Sequence, residues 1–331
     1  MNAPIITVDR LTRHFTVPVG VSGGWFKKHA TQNFEAVRDL SFDIRAGEKI
    51  AFIGPNGAGK STTLKMLCGL LQSTSGTAQV AGFVPWKETR ALSRRIGLVF
   101  GQRSHLWPTL PVIDSYDLLA AIYDLPRAHY WAQLDKLTIV FDLGDLLHQR
   151  VQTLSLGQRM RCDLAAALLH QPAVLFLDEP TIGLDINAKA TLRDHLNRMA
   201  HEFETTIILT SHDTDDIERV CNRVILIDHG HKVIDTSLTE LRRDYARYKT
   251  VTLTVDAAGE AFVREGVRVL SQSAHRLALQ IDVARAPVEQ VVGECLARYK
   301  IQDIAIENMP LEDVIRTIYD RQNAAGGVVV T

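Results

Sequence analysis

The apolar and polar positions of the chain predict two structural regions that meet near residue 240. Ahead of that point, short apolar runs alternate with segments whose apolar residues recur at helical spacing. The later part of this region predicts a strand over Ala173–Leu177, a helix over Asn187–His201, a strand over Thr206–Thr210, a helix over Asp213–Cys221 and a strand over Val224–Ile227. Such alternation is typical of an α/β fold with a parallel sheet.

The earlier part of this region has a different pattern. Residues 5–16 and 35–54 favour strands and turns, and a helix is predicted over Ser61–Leu71. Residues 103–170 are mostly helical in pattern, with prolines between the helices. We therefore expect a sheet-forming half and a helical block to precede the alternating elements.

Beyond residue 240 the pattern changes to a small mixed unit. The elements predicted there are a strand over Thr250–Val255, a short helix over Gly259–Glu265, a hairpin of Val267–Ser271 and Leu277–Ile281, a helix over Pro287–Tyr299, a strand over Ile301–Ile306 and a helix over Leu311–Tyr319. Their order resembles that of a ferredoxin-like domain. We assign residues 1–239 to a first domain and residues 240–331 to a small α+β domain.

Composition is consistent with two soluble domains. The 331 residues are 46% hydrophobic, which is enough to form two buried cores. The formal net charge of −1 provides no basic field for nucleic acid, so we expect no nucleic-acid partner.

Cysteine use and hydropathy indicate the compartment. Four scattered cysteines without a Cys-x-x-Cys pair favour a reducing compartment and argue against a zinc site or a disulfide framework. The longest apolar stretches, such as Ala173–Leu177, are far shorter than the about 20 residues that span a bilayer. The N-terminus also lacks the apolar core of a signal peptide. We expect a cytoplasmic protein that reaches a membrane only through a partner.

A glycine-rich loop provides the most specific chemical signal. After an apolar strand and before a predicted helix, the chain reads Gly54, Pro55, Asn56, Gly57, Ala58, Gly59, Lys60, Ser61, Thr62. This matches the phosphate-loop pattern, in which backbone N–H groups surround nucleotide phosphates at a helix N-terminus. Lys60 is expected to reach the β- and γ-phosphates and Ser61 to bind Mg²⁺.

Polar residues follow two of the predicted strands. Asp178 and Glu179 end one strand and His212 follows another. Because ligands of open α/β sheets bind beyond the carboxyl ends of the strands, all three are expected to face the phosphate loop. Asp178 suits Mg²⁺ coordination and Glu179 suits polarising the attacking water. His212 is expected to hold the γ-phosphate and that water.

The stretch Thr153–His170 predicts a helix with an unusual start. Ser155 is a suitable N-cap, but Gly157 weakens a helix and adds nothing to a core. A capped helix start with a glycine allows close approach of an anion. Since the chain has one phosphate loop, we interpret Ser155, Gly157 and Gln158 as contacts to the γ-phosphate of a nucleotide bound by a second protomer.

Together these motifs resemble the ATP-binding cassette ATPases of transporters over about residues 5–236. The resemblance implies a P-loop NTPase with a RecA-like core and a helical subdomain over about 103–165. It identifies Leu154–Gln158 as the signature motif and Gly183–Asp185 as the loop that couples the two sites. His212 is similar to the switch histidine and Phe15 to the aromatic residue that stacks on adenine. Gln102 is similar to the glutamine that senses Mg²⁺ and the transmembrane partner.

Within that family the chain most resembles the ATPases of ABC-2 type exporters, whose cassette is commonly followed by a small domain. Leu311-Glu-Asp-Val314 resembles a recurrent motif near the end of that domain. The resemblance implies ATP and Mg²⁺ as ligands, a second cassette and separate permease subunits as partners, and a position on the inner face of the cell membrane.

Three features depart from the family pattern. Leu156 replaces the first glycine of the usual Ser-Gly-Gly-Gln, and leucine disfavours positive φ. Phe100-Gly101-Gln102 has one residue more than usual before the glutamine. Phe15 is followed by an excursion, Val17–Asn33, with Trp25-Phe26-Lys27-Lys28 at its centre. We interpret the excursion as a solvated loop with one packed aromatic residue, the alternative being a membrane or partner contact.

The family also includes soluble cassette proteins that act in translation or DNA repair. The ribosome-acting members usually join two cassettes in one chain, and the DNA-repair members insert long coiled coils; neither feature is seen here. A nucleotide-binding regulator without turnover is disfavoured because Glu179 is present. We therefore expect a transport ATPase, with export favoured over import by the appended domain.

Two predictions concern regions beyond the nucleotide motifs. The first is that residues 240–331 are dispensable for ATP binding. The second is that the helical block around Gln102–Arg150 faces the permease. Its large apolar residues are Trp107, Leu110, Tyr116, Tyr123 and Trp131. Any one of these is more often a core residue, but a docking groove needs a few of them exposed.

Overall fold

The computed structural model describes residues 3–19, 30–101, 104–245, 248–256 and 262–325. The chain forms two compact units, residues 1–236 and 237–331. Gln102 and the Trp25–Lys28 segment lie outside the described residues. Within the described ranges, no helix combines the length and apolar character that crossing a bilayer requires.

The first unit contains nine named strands and seven named α-helices in the described residues. The strands are β1 (Ile6–Val19), β2 (Ala30–Ile44), β3 (Lys49–Ile53), β4 (Ser75–Val80), β5 (Ile96–Phe100), β6 (Val174–Asp178), β7 (Thr206–Thr210), β8 (Arg223–Asp228) and β9 (His231–Ser237). The helices are α1 (Lys60–Leu67), α2 (Thr89–Ser93), α3 (Val112–Ile122), α4 (Arg127–Phe141), α5 (Leu156–Leu168), α6 (Ile186–Glu202) and α7 (Thr214–Val220).

A six-stranded sheet forms the centre of this unit, in the order β5-β6-β7-β3-β8-β9. The pairs β5/β6, β6/β7, β7/β3 and β3/β8 are all parallel. All five residues of β7 are buried, as expected for a parallel strand covered on both faces. The predicted α/β fold is confirmed, and the carboxyl ends of β3, β6 and β7 meet at one edge of the sheet.

A second, antiparallel sheet has the order β2-β1-β4. Apolar residues of this sheet and of α1 form one buried cluster with the central sheet; its members include Ile6, Leu40, Phe52, Leu64, Met66 and Phe176. The antiparallel sheet therefore packs over α1 and positions the loop that precedes this helix.

Helices α3, α4 and α5 are held together by buried polar contacts. The Tyr116 hydroxyl on α3 donates to the Cys162 carbonyl on α5 over 2.9 Å, and Tyr116 is fully buried. Gln133 Nε2 on α4 donates to the Leu168 carbonyl over 3.1 Å. Because these donors are desolvated, their partners must stay in place, and this keeps α5 in a defined orientation.

The second unit is a four-stranded antiparallel sheet with helices. Its elements are α8 (Leu238–Tyr245), β10 (Tyr248–Val255), β11 (Val267–Gln272), β12 (Arg276–Asp282), α9 (Val288–Arg298), β13 (Ile301–Asn308) and α10 (Leu311–Ala325), and the strand order is β11-β12-β10-β13. Leu311 and Val314 of α10 are buried, so the apolar ends of the Leu311–Val314 motif are core positions.

The helix predicted over Gly259–Glu265 is wrong in its described part. Residues 262–266 are not helical, and Arg264 forms a β-bridge with Val267. Phe262 is buried in the core of the unit, while Gly266 adopts φ 77°. Left-handed backbone ends a helix, so the packing of Phe262 and the Gly266 turn override the local helical pattern.

Candidate functional site

The phosphate loop connects β3 to α1 and requires glycine at a specific point. Gly59 precedes α1 with φ 99°, a conformation that side chains rarely adopt. A Cβ at Gly59 would lie 2.4 Å from the Ala36 carbonyl oxygen of β2. The antiparallel sheet therefore presses against this loop, and only glycine fits between the two.

Lys60 is held inside the loop. Its Nζ donates to the carbonyls of Gly54 over 2.6 Å and Pro55 over 3.1 Å, and the residue is buried. Burial lowers the pKa of Lys60, and the nearby carboxylates of Glu179 and Asp178 oppose this shift. The ammonium group is thus poorly solvated and hydrogen-bonded to two carbonyl oxygens, so an arriving phosphate offers it a stronger partner.

Asp178 ends β6 and lies beside the loop. Its Oδ1 accepts a hydrogen bond of 2.5 Å from the Thr210 hydroxyl at the end of β7. Asp178 and Ser61 line the same cavity of about 450 Å³, together with Lys65, Leu70, Phe100, Gly101, Glu179 and Ile182. Hydroxyl and carboxylate oxygens are the ligands that Mg²⁺ prefers, so the residues present fit this ion.

Glu179 adopts a left-handed backbone conformation with φ 52°. Its N–H donates to the Thr210 carbonyl over 3.0 Å and lies 3.2 Å from the Thr210 hydroxyl oxygen. His212 Nε2 lies 2.8 Å from Glu179 Oε1. A left-handed non-glycine residue costs about 1–2 kcal/mol, so the contacts with β7 hold Glu179 in a strained position that places it beside His212.

Gly101, the residue ahead of Gln102, lies against Asp178 and Glu179. Its N–H donates to the Asp178 carbonyl over 2.9 Å, and a Cβ at this position would lie 2.1 Å from the Glu179 carbonyl oxygen. Glycine is therefore required for the chain to pass against the acidic pair. In the sequence this glycine stands out only because the segment before Gln102 is one residue longer than usual. The close approach of two backbone segments cannot be recognised from the sequence.

The segment that follows Gln102 is anchored to α5. Asp163 Oδ1 on α5 accepts hydrogen bonds of 2.9 Å from both the Ser104 hydroxyl and the His105 N–H. Burial raises the pKa of Asp163 to about 6, which these hydrogen bonds partly oppose. Residues 104–105 are therefore bonded directly to the helix that begins at Leu156.

The start of α5 confirms the predicted Ser155 cap. Ser155 Oγ accepts from the Gln158 N–H over 3.2 Å, and the Ser155 N–H donates to Gln158 Oε1 over 2.9 Å. This reciprocal pair is a capping box. The side chains of Ser155 and Gln158 are thus oriented by each other, at a helix N-terminus whose remaining N–H groups have no helical partner.

Leu156 is accommodated without backbone strain. It is the first residue of α5, and its φ is not positive. Leucine can therefore replace the glycine of the family motif without adopting a left-handed conformation. A Cβ at Gly183 would lie 3.4 Å from Leu156 Cδ2, and one at Gly157 would lie 3.1 Å from the Ala188 Cβ. The start of α5 therefore packs on the loop that leads into α6.

That loop ends at Asp185, which caps α6. Asp185 Oδ1 accepts from the Ala188 N–H over 2.8 Å, and Gly183 adopts φ 76°. Ile186, the first residue of α6, is 86% exposed. An apolar side chain this exposed at the junction of two candidate motifs indicates a surface available for contact with another molecule.

Phe15 lies on β1 opposite Phe34 of β2. The same strand β2 continues to Ala36, whose carbonyl abuts Gly59, so Phe15 lies on the part of the sheet that borders the phosphate loop. The Arg13 guanidinium carbon is 4.7 Å from the Phe15 ring centroid, which is within cation–π range. One face of the ring is thereby occupied by the guanidinium group.

Comparison with known proteins identifies relatives over most of the chain. A family model described as ABC transporter matches residues 37–182. The linearmycin resistance ATP-binding protein LnrL of Bacillus subtilis is 31% identical over 280 residues, covering 84% of this chain and 89% of the relative. The Nod factor export ATP-binding protein I of Ralstonia nicotianae is 34% identical over 241 residues, covering 72% of this chain and 69% of the relative.

Solved structures give the same result for the fold. The structure of an ATP-binding subunit of an ABC transporter has a TM-score of 0.59 and 25% identity, covering 73% of this chain and 93% of that one. The cbiO1 structure from Clostridium perfringens, part of the ABC transporter complex cbiONQ, has a TM-score of 0.59 and 26% identity, covering 73% of this chain and 94% of that one.

Proposed function

The chain belongs to the ABC transporter ATP-binding proteins, and from this premise we propose that two copies share two ATP molecules to drive a separate export permease. The observation that carries this proposal is the cavity beside Lys60. Ser61, Asp178 and Glu179 line it, whereas residues 155–158 are not among its described lining residues. One copy therefore supplies the phosphate loop and the acids, and the other supplies the signature segment.

Within one copy the bound phosphates are held by the loop residues Gly54–Thr62. Lys60 exchanges its carbonyl partners for the β- and γ-phosphates. Ser61 and Asp178 are the residues that would hold Mg²⁺, with Gln102 as the proposed third, and the ion would neutralise charge on the phosphates. Phe15 is proposed to stack on the adenine.

Glu179 is proposed to accept a proton from the attacking water, and His212 to orient that water and the γ-phosphate. Glu179 Oε1 and His212 Nε2 are 2.8 Å apart, so both side chains are close enough to contact one water molecule. A positioned carboxylate of this kind contributes about 10²–10⁴-fold to a rate. This pair is therefore the proposed catalytic centre.

The second copy completes the site. Ser155, Gly157 and Gln158 at the start of α5 would contact the γ-phosphate with side-chain and backbone donors. Asp185 and its loop, which pack on the same helix start, would report the state of one site to the other. The exposed Ile186 supports this assignment, because it would become buried between two copies.

Export is supported by the names of the relatives. One confers linearmycin resistance and another exports Nod factor. The cargo would be contacted by the permease, which would hold this chain on the inner face of the membrane. The alternative, a soluble cassette protein acting in translation or DNA repair, is not favoured by these relatives.

We expect Phe15→Ala to weaken ATP binding by about 1–3 kcal/mol, the range for loss of one base–aromatic stack. This corresponds to a rise in Kd of about 5- to 150-fold. Titration with ATP and with inorganic tripolyphosphate measures it, since the latter lacks a base and should bind unchanged. Phe15→Trp serves as the conservative control. A loss at Phe34 or Trp25 in place of Phe15 would show that the wrong aromatic residue has been assigned.

We expect a permease to cross-link to cysteines placed between His105 and Tyr123, in yields that change with nucleotide state. The four native cysteines are buried, so background labelling should be low. Trp107, Leu118 and Ile122 are exposed and suitable positions, whereas Tyr116 of the predicted aromatic set is buried. Tyr116 is therefore not part of the proposed docking surface, whereas Trp107 and Trp131 of the predicted set are exposed and remain candidates.

The matched control is Ile139→Cys, which is 77% exposed on α4 and borders a different cavity, with Glu202 and Thr205. It should cross-link weakly and without nucleotide dependence. Cross-links confined to the second unit, for example from Val263→Cys, and insensitive to nucleotide would show that the permease docks elsewhere.

A further inference from the structure

A buried carboxylate on α7 connects three segments of the candidate site. Asp216 has no exposed surface. It accepts hydrogen bonds from the Thr181 hydroxyl over 2.5 Å, the Ser211 hydroxyl over 2.7 Å and Arg193 Nε over 2.5 Å. All three donors are themselves buried, so these three hydrogen bonds are shielded from water.

Each donor belongs to a segment with a proposed role. Thr181 follows Glu179 and Pro180 along the chain, and its carbonyl accepts from the Leu184 N–H over 3.3 Å. Ser211 directly precedes His212. Arg193 is on α6, the helix that Asp185 caps. One carboxylate is therefore bonded to the segments that carry the proposed general base, the proposed water-orienting histidine and the coupling loop.

Further charges surround this network. Arg193 also pairs with Asp213 over 2.6 Å and with Asp215 over 3.4 Å, and Lys189 Nζ lies 2.9 Å from Asp213 Oδ2. Ion pairs often contribute little net stability, because solvent screens the exposed ones and desolvation offsets the attraction in buried ones. Their directional hydrogen bonds instead impose one geometry on the groups they join.

We propose that Asp216 is a positioning residue for ATP hydrolysis. It holds Glu179 and His212 in their 2.8 Å arrangement and links that pair to the loop at Asp185. This inference rests on the proposed catalytic roles of Glu179 and His212. Its consequence is specific, because loss of the network should slow turnover while the phosphate loop continues to bind ATP.

The two hydroxyl donors provide the test. Thr181→Val and Ser211→Ala each remove one hydrogen bond to Asp216 and leave the Asp216–Arg193 pair in place, so the fold should be retained. Ser211→Ala also removes the acceptor of the Asp213 N–H, over 3.0 Å, so Thr181→Val is the more specific variant. Each should lower kcat about tenfold, since a hydrogen bond to a charged group is typically equivalent to at least this factor. KM and the Kd for ATP should change less than about twofold, because Lys60 and its loop are untouched.

Matched variants separate positioning from general stability. Thr181→Ser keeps the hydroxyl and should retain kcat. Asp235→Asn removes the charge from another carboxylate–arginine pair, Arg223 Nε to Asp235 over 2.8 Å. This pair is not bonded to the segments that carry Glu179 or His212, so kcat should be unchanged. Asp216→Asn, if it folds, should lower kcat at least as much as either hydroxyl variant.

The outcomes also separate this proposal from the function on which it rests. Normal kcat in folded Thr181→Val and Ser211→Ala, with Glu179→Gln inactive in the same assay, would overturn the positioning role alone. Parallel changes in KM and kcat, or an equal loss in Asp235→Asn, would likewise overturn it. Activity in Glu179→Gln would instead refute the proposed function.

Discussion

Glu179→Gln is expected to abolish ATP turnover, retain ATP binding and trap a dimer with ATP enclosed. The amide keeps the shape of the carboxylate but cannot accept a proton, so the rate should fall by about 10²–10⁴-fold, the contribution of a positioned general base. Lys60 and Ser61 are unchanged, so the Kd for ATP should stay within a small factor. Phosphate release measures turnover, and light scattering measures the mass of the trapped species.

The control for this variant is Glu204→Gln. Glu204 is exposed and precedes β7, at the opposite end of that strand from Thr210. Its substitution should leave turnover unchanged. If Glu179→Gln remained a monomer with Mg·ATP at every concentration, alone and in complex with its permease, the shared-site arrangement would be wrong.

Lys60→Ala is expected to weaken nucleotide binding or catalysis severely. The substitution removes a buried cation that would contact two phosphates, and hydrogen bonds to charged groups are each equivalent to about 1.5–3 kcal/mol. The combined loss corresponds to at least two orders of magnitude in kcat/KM. Steady-state hydrolysis, together with equilibrium binding of ATP, divides this loss between the two steps.

Lys87→Ala is the matched control, since Lys87 is an exposed lysine on the same unit and outside the site cavity. It should hydrolyse ATP normally. Hydrolysis by Lys60→Ala at the unaltered rate would mean that the measured activity comes from a contaminating ATPase. Unaltered equilibrium binding of ATP as well would mean that Lys60 has been given the wrong role.

The arrangement of the proposed catalytic residues could be predicted because parallel sheets follow a general rule. Asp178 and Glu179 at the end of β6 and His212 after β7 come together because adjacent parallel strands end at the same edge. The apolar runs that define these strands are short and uninterrupted, so their positions could be read from the pattern alone. Strand β7 was predicted with the bounds that the structure shows.

The supporting polar network could not be predicted in the same way. Asp216 and Arg193 lie in segments rich in charge, and along the sequence they are indistinguishable from solvated helix residues. Only the packing of α6 against α7 makes them buried partners. Thr210 is similar, since its contacts with Asp178 and Glu179 depend on the register between two strands.

Helical periodicity also fails to separate buried residues from exposed ones. Tyr116 and Trp107 belong to the same predicted aromatic set, yet Tyr116 is buried with its hydroxyl on α5, while Trp107 is 38% exposed. The helix expected over Gly259–Glu265 is absent from its described part, residues 262–265, for a related reason. Its local pattern was helical, but the burial of Phe262 and the turn at Gly266 depend on the rest of the unit.

The central claim is that Ser155–Gln158 of one copy contacts the ATP held by the phosphate loop of another. Photo-labelling in a mixture of two copies, both carrying Glu179→Gln, tests this most directly. The first copy is ¹⁵N-labelled and also carries Lys60→Ala, so that its own loop holds ATP poorly, and the second copy has an intact loop. An ATP analogue with a photoreactive group on the γ-phosphate is added, and labelled peptides are identified by mass.

We predict label on the ¹⁵N peptide that contains Ser155–Gln158, in the mixture but not in the first copy alone. Label confined to the Ser155–Gln158 peptide of the second copy would contradict the account, because that ATP would then be bound by a single chain.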